Sequence, residues 1–117
     1  MPPVETIESA GTATVAPSAV VWVDERRAIV VTLSRDGRCS TCETDRDLES
    51  ELAYLARVVH AIGDRDRVMI IGPNSARLAL EREYVALARR PERIVDVDSA
   101  GPADTDDLIR RLYLLAA

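Results

Sequence analysis

The stretch Val68-Met69-Ile70-Ile71-Gly72-Pro73-Asn74-Ser75-Ala76-Arg77-Leu78 decides how the chain folds. Its four leading residues are apolar without alternation, as expected of a strand covered on both faces. Gly72 and Pro73 then break the strand, and the following residues open a helix expected to run to about Arg90, where Pro91 stops it. Ile94-Val95-Asp96-Val97 reads as the next strand. Beyond the loop Asp98-Ser99-Ala100-Gly101-Pro102, a last helix is expected from about Asp104 to Leu115. Strand, helix, strand, helix in succession calls for parallel pairing with helices packed on the sheet.

Working upstream, the helical face Leu48, Leu52, Leu55, Val59 and Ile62 steps by four and three residues and ends at Gly63. Asp45 or Asp47 is the expected N-cap, and Glu49 and Glu51 suit the positive end of the helix dipole. Earlier still, Ala19-Val20-Val21-Trp22-Val23 and Ala28-Ile29-Val30-Val31-Thr32-Leu33 are short runs rich in β-branched residues. The first ends in Asp24-Glu25-Arg26-Arg27 and the second in Arg35-Asp36-Gly37-Arg38, where Asp-Gly signals a tight turn. Residues 38–43 return as a third strand, completing an antiparallel meander. The sum is an α/β domain with a mixed sheet of about five strands and three helices.

At 117 residues the chain is one domain's worth. Residues 1–17 mix Pro, Gly, Ser, Thr and Ala and read as a flexible tail, with only a weak strand signal at Thr12 to Val15. Residues 18–117 form the domain. No run approaches the ~20 apolar residues that span a bilayer, and no signal-peptide pattern opens the chain, so a cytoplasmic protein without a membrane partner is expected. The 15 basic residues, all Arg, are outnumbered by 20 acidic ones, for a net charge of −5. That balance argues against broad nucleic-acid binding.

Several residues have the chemistry to form a site. Gly72, Asn74, Ser75 and Arg77 lie where a buried strand meets a helix N-terminus, a place that favours an anion or a nucleotide phosphate. The spacing is far from a P-loop. The competing reading is a plain turn, with Asn74 left-handed and Ser75 as cap. Arg89, Arg90 and Arg93 cluster at the far end of the same helix, as phosphate contacts or as partners of its C-terminal dipole. Asp24, Asp96, Asp98 and Glu49 fall at strand or helix ends and compose the alternative of a metal-dependent nuclease. Cys39 and Cys42 make a C-x-x-C pair, read as incidental thiols, with redox chemistry or an interchain zinc as alternatives. His60 lies beside the apolar stripe, outside any triad signature. No cofactor is implied.

Three stretches together, Val21-Trp22-Val23-Asp24-Glu25-Arg26-Arg27-Ala28, then residues 68–78, then Ile94-Val95-Asp96-Val97-Asp98, carry a family likeness. The chain resembles the small bacterial "translational machinery protein" family, relatives of the middle domain of eukaryotic and archaeal release factors and Pelota. Members read V-W-I-D-x-x-x-A, then I-x-G-P-G-x-A-K, then a strand and an acidic loop before a last helix. The resemblance spans about residues 19–115 and implies a ribonuclease-H-like fold in a single domain. Here Asn74 replaces the second Gly of the turn, and Arg77 replaces its Lys. Release-factor middle domains hydrolyse peptidyl-tRNA with a Gly-Gly-Gln loop. This chain has no Gln and no Gly-Gly, and the matching connection, expected around residues 38–47, is short. The resemblance therefore implies a non-catalytic binding module whose partners are ribosomes or translation factors, acting in translation or stress. An anion site at residues 72–77 and the metal-dependent hydrolase are the alternatives.

Overall fold

A computed structural model describes residues 15–98 and 104–117. The tail expected over residues 1–17 therefore lies outside the described residues up to Thr14, as does the loop over residues 99–103. At the centre stands β1 (Ser18–Val23), all six of whose residues are buried. It pairs antiparallel with β2 (Arg27–Leu33), which pairs antiparallel with β3 (Cys39–Asp45). On its other side β1 pairs parallel with β4 (Arg67–Ile71), and β4 with β5 (Ile94–Asp98). The order across the sheet is β3-β2-β1-β4-β5. The meander and the parallel half meet at β1, as the alternation of elements requires.

Among the described residues three helices cover this sheet: α1 (Glu51–Ile62), α2 (Asn74–Ala88) and α3 (Thr105–Ala116). Because successive strand residues face opposite ways, β1 divides its side chains between two cores. Ala19, Val21 and Val23 join Val68, Ile70, Tyr54, Leu55, Val58 and Leu80 under α1 and α2. Val20 and Trp22 join Ile29, Val31, Leu33 and Ile71 under α3, through Leu108 and Leu112. This two-sided cover explains the unbroken apolar text of β1 and β4. None of the described helices is long and apolar enough to cross a membrane.

The start of α1 differs from expectation. Ser50, not Asp45 or Asp47, is the N-cap, its Oγ accepting from the Ala53 N–H at 3.1 Å. The face turned inward is Tyr54, Leu55, Val58, Val59 and Ile62, while Leu48 and Leu52 are exposed. Leu48 precedes the cap, so it lies on no helix, and Leu52 falls on the outer side of the first turn. The end of the helix is as expected, with Gly63 at positive φ and its N–H bound to the Val59 carbonyl at 3.2 Å. Helix α2 ends at Ala88, one step before Arg89 takes a left-handed conformation.

Candidate functional site

The turn after β4 is built on backbone proximity. Trp22 and Ile71 are register partners, so the ends of β1 and β4 lie side by side. Gly72, at φ +148, packs so closely there that an added Cβ would stand 2.1 Å from the Val23 carbonyl oxygen. Glycine is therefore the residue this packing admits. Pro73 takes the N-cap position without a side-chain bond, and Asn74 and Ser75 begin the helix proper. Neither expected role holds: Asn74 is helical, not left-handed, and Ser75 does not cap. Arg77 is half-buried, and its N–H bonds to the Pro73 carbonyl at 2.9 Å.

Beside this turn lies the β1–β2 hairpin. Asp24, Glu25, Arg26, Pro73 and Ser75 line an open cleft of about 220 Å³. An anion at the helix N-terminus would enter next to Asp24 and Glu25, whose carboxylates repel it. Asp24 has further work. Its Oδ1 accepts from the Arg26 and Arg27 N–H groups, both at 2.8 Å, and its carbonyl accepts from the Tyr54 hydroxyl at 3.1 Å. That hydroxyl belongs to a buried ring, and burial, followed by the charges of Asp24 and Asp45, pushes its pKa well up.

Two of the proposed metal carboxylates, Asp24 and Glu49, are engaged elsewhere. Asp24 is spent on its own hairpin, and Glu49 pairs with Arg57, whose Nε donates to Oε1 at 2.9 Å. Register places Asp98 beside Ile71 and Asp96 beside Met69, so Asp98 lies two strands, roughly 10 Å, across the sheet from β1. Among the described residues no group of three or more His, Cys, Asp or Glu is placed to hold a metal ion. The metal-dependent alternative is not favoured.

Fifteen residues of α2 separate the turn from the arginine cluster, about 22 Å of helix. Arg77 and the cluster therefore lie toward opposite ends of the helix. Arg93 forms an ion pair with Asp64 across the β4 approach, and only a quarter of its side chain is exposed. That hydrogen bond and charge hold the Asp64 carboxyl below its usual range and the Arg93 guanidinium above its own. Arg90 lies 4.0 Å from Glu92 and is mostly exposed, and Arg89 is exposed at the helix end. Gly63, Asp64, Tyr84, Ala88, Arg90 and Arg93 line a cleft of about 350 Å³. The buried Tyr84 phenol, its pKa raised chiefly by that burial, forms part of this wall. Arg93 thus braces the fold, while Arg89 and Arg90 are exposed to solvent.

Cys39 and Cys42 are both exposed on β3, three residues apart in one extended strand. Cys42 pairs with Val30, on the α1 side, and Cys39 with Leu33, on the α3 side. The two thiols therefore point to opposite faces, which suits neither a shared metal nor a disulfide. His60 and Cys42, with Thr44, Ala56, Arg57 and Ala61, line a largely apolar groove of about 460 Å³ between β3 and α1.

The connection between β3 and α1 is residues 46–50, since residues 39–45 are strand. It is short, as expected, and strongly braced. Asp47 is left-handed, Arg46 Nε donates to the Glu49 carbonyl at 3.1 Å, and the Arg46 N–H bonds the Arg26 carbonyl at 2.8 Å. Leu48 stands fully exposed at the tip, above a cleft of about 600 Å³ lined by Glu25, Arg26, Arg46, Asp47 and Glu49. The helical spacing predicts Leu48 in the core; Ser50, whose side chain caps the helix, signals that the helix begins too late to carry it.

No protein-family model matches the chain, and no curated protein matches it by sequence. Among solved structures the fold is similar to that of Pelota from Archaeoglobus fulgidus, at 13% identity and a TM-score of 0.55 over 86% of this chain. It is similar also to Pelota from Thermoplasma acidophilum, at 21% identity and a TM-score of 0.56 over 85% of this chain. The chain covers 32% of the length of each of those Pelota chains. It folds like one domain of Pelota.

Proposed function

We propose that this chain is a non-catalytic binding module of the release-factor-like kind, related to the bacterial translational machinery proteins, that docks on ribosomes or a translation factor in the cytoplasm. The observation that carries this reading is the Pelota-like fold across 85% or more of the chain. The resemblance puts the release factors' catalytic loop around residues 38–47, most of which are strand here, and the connection that remains, residues 46–50, is short and bears Leu48 at its tip. Arg89 and Arg90 supply a local cationic contact despite the overall charge of −5.

Co-sedimentation with ribosomal fractions at two salt concentrations tests the proposal. Wild-type protein is expected to bind at low salt and to release as salt rises. The Arg89→Ala/Arg90→Ala variant should bind several-fold more weakly, with the salt slope flattened by about one for each lost phosphate contact. Arg77→Ala, at the other end of α2, should leave binding unchanged. Failure of the wild type to sediment with ribosomes at low salt, or turnover of peptidyl-tRNA by the purified protein, would overturn it.

A further inference from the structure

The two outer strands of the sheet are unlike. β5 is five residues long, and its pairing with β4 is interrupted by a register shift between Val68 and Met69. Shortness and bulges are the usual guards against edge-to-edge association. β3 has neither: seven residues run in unbroken register against β2, with no Pro and no basic side chain within the strand. Its text, Cys-Ser-Thr-Cys-Glu-Thr-Asp, is polar and mostly exposed. The strand is therefore an open template among the described residues.

The hydrogen bonds at its two ends fix which groups face outward. Ser34 N–H donates to the Arg38 carbonyl at 2.9 Å, and Arg46 N–H donates to the Arg26 carbonyl at 2.8 Å. In an antiparallel ladder hydrogen-bonded pairs alternate with unbonded ones, so the even-numbered residues from 38 to 46 direct their backbone to β2. Cys39, Thr41, Glu43 and Asp45 then turn N–H and C=O toward the free edge.

We propose that this edge pairs antiparallel with the same edge of a second copy, about a two-fold axis through Thr41, to give a continuous ten-stranded sheet. A two-fold axis normal to the sheet requires one residue to face itself. Charge selects Thr41. With Thr41 self-opposed, Cys39 faces Glu43, and beyond the strand the exposed Asp36 of the hairpin turn lies toward Arg46 of the second copy, twice over by symmetry. Centring on Cys42 sets Arg38 against Arg46, and centring on Glu43 sets two carboxylates together; both oppose like charges. The same axis places both α1 helices on one face, so the apolar groove along Cys42, Thr44, Ala56 and His60 continues into its symmetry mate. Strand pairing of this extent makes a modest interface, so the dimer is concentration-dependent.

Analytical ultracentrifugation over a concentration series, followed by single-cysteine cross-linking, tests it. The wild type should shift from 12.8 kDa toward twice that mass as concentration rises. Thr41→Pro removes an outward N–H that β2 does not use, so it should keep the melting transition and abolish the dimer. In a Cys39→Ser/Cys42→Ser background, Thr41→Cys should oxidise to a covalent dimer while Glu43→Cys does not, because directly opposed Cα atoms lie about 5.5 Å apart. Arg46→Glu should weaken the dimer at least tenfold, and adding Asp36→Arg should restore it. A wild type that stays monomeric to millimolar concentration overturns the proposal, as does a folded Thr41→Pro protein that still dimerises. Cross-linking at position 43 but not 41 overturns the register.

Discussion

Gly72 shows how a residue that reads as part of a ligand loop can be set by packing. The sequence suggested a left-handed Asn74, but Asn74 is the first residue of the helix, with Pro73 as its N-cap, and Gly72 as the residue before proline is held to extended ψ. The unusual backbone angle therefore falls on Gly72, at φ +148 against the Val23 carbonyl. Gly72→Ala should cost about 3 kcal/mol or more, from strain and displacement of the β1 end together. Gly37, also at positive φ but with open space around it, is the control, and Gly37→Ala should cost only about 1 kcal/mol. Urea denaturation of both variants measures the difference. Tyr54 makes a second prediction at this scale. Its folded pKa is raised above the ordinary value of 10.0, chiefly by burial. Above about pH 10 the unfolded chain gives up that proton first, so stability is full below this pH and falls as pH climbs. Tyr84 is shifted in the same direction and adds to the fall. Tyr54→Phe should cost about 1 kcal/mol at neutral pH, from the lost bond to Asp24, and should flatten the alkaline decline.

Among the elements, α1 was legible in its second half and misread in its first. The step of four and three residues holds for Leu55, Val59 and Ile62, which face the core. It was extended back to Leu52 and Leu48 because spacing alone does not say where a helix starts; the cap does, and the cap is Ser50. Leu55→Ala should therefore destabilise by about 2–5 kcal/mol, whereas Leu52→Ala should stay within about 0.5 kcal/mol. Ser50→Ala should cost about 1 kcal/mol. Thermal melts of the three variants rank them, and an equal loss for Leu52 and Leu55 would contradict the observed face. β3 was expected over residues 38–43 and runs from Cys39 to Asp45. Its end was obscure because an edge strand with only Thr44 buried carries no apolar alternation to mark it. The C-x-x-C pair lost its chemical meaning for the same reason, since extended backbone sends the two thiols to opposite faces.

At the scale of the whole molecule, the mixed sheet followed from the order of strand and helix signals, because a strand–helix–strand run leaves parallel pairing as the compact solution. The candidate residues were harder to group, since linear closeness hides the length of α2 between Arg77 and Arg89. Also hidden was what ties α3, the single helix on its face of the sheet among the described residues, to the rest. Arg67, at the start of β4, donates through Nη1 to the Leu115 carbonyl at 2.8 Å and the Ala117 carbonyl at 2.9 Å. Ala16 donates its N–H to the Ala116 carbonyl at 3.3 Å, Val15 packs into the core beneath α3, and the Pro17 carbonyl accepts from the Asp66 N–H at 2.8 Å. Residues 15–17 and Arg67 thus satisfy carbonyls that a helix C-terminus otherwise leaves unpaired. Two truncated chains, one beginning at Val15 and one at Ser18, separate this contribution from anything further upstream. The shorter chain loses two or three backbone hydrogen bonds and the Val15 side chain, about 2–4 kcal/mol together. For a domain of this size that corresponds to a melting point lower by about 10 °C or more than the Val15 chain shows. Arg67→Ala in the longer chain should lower it in the same direction, by about 1.5–3 kcal/mol, because charge-assisted bonds to the helix end are lost. If both changes act by freeing the end of α3, hydrogen exchange should quicken in that helix and leave β1 protected. Equal melting of the two truncated chains would mean that the sheet holds α3 through Leu108 and Leu112 alone.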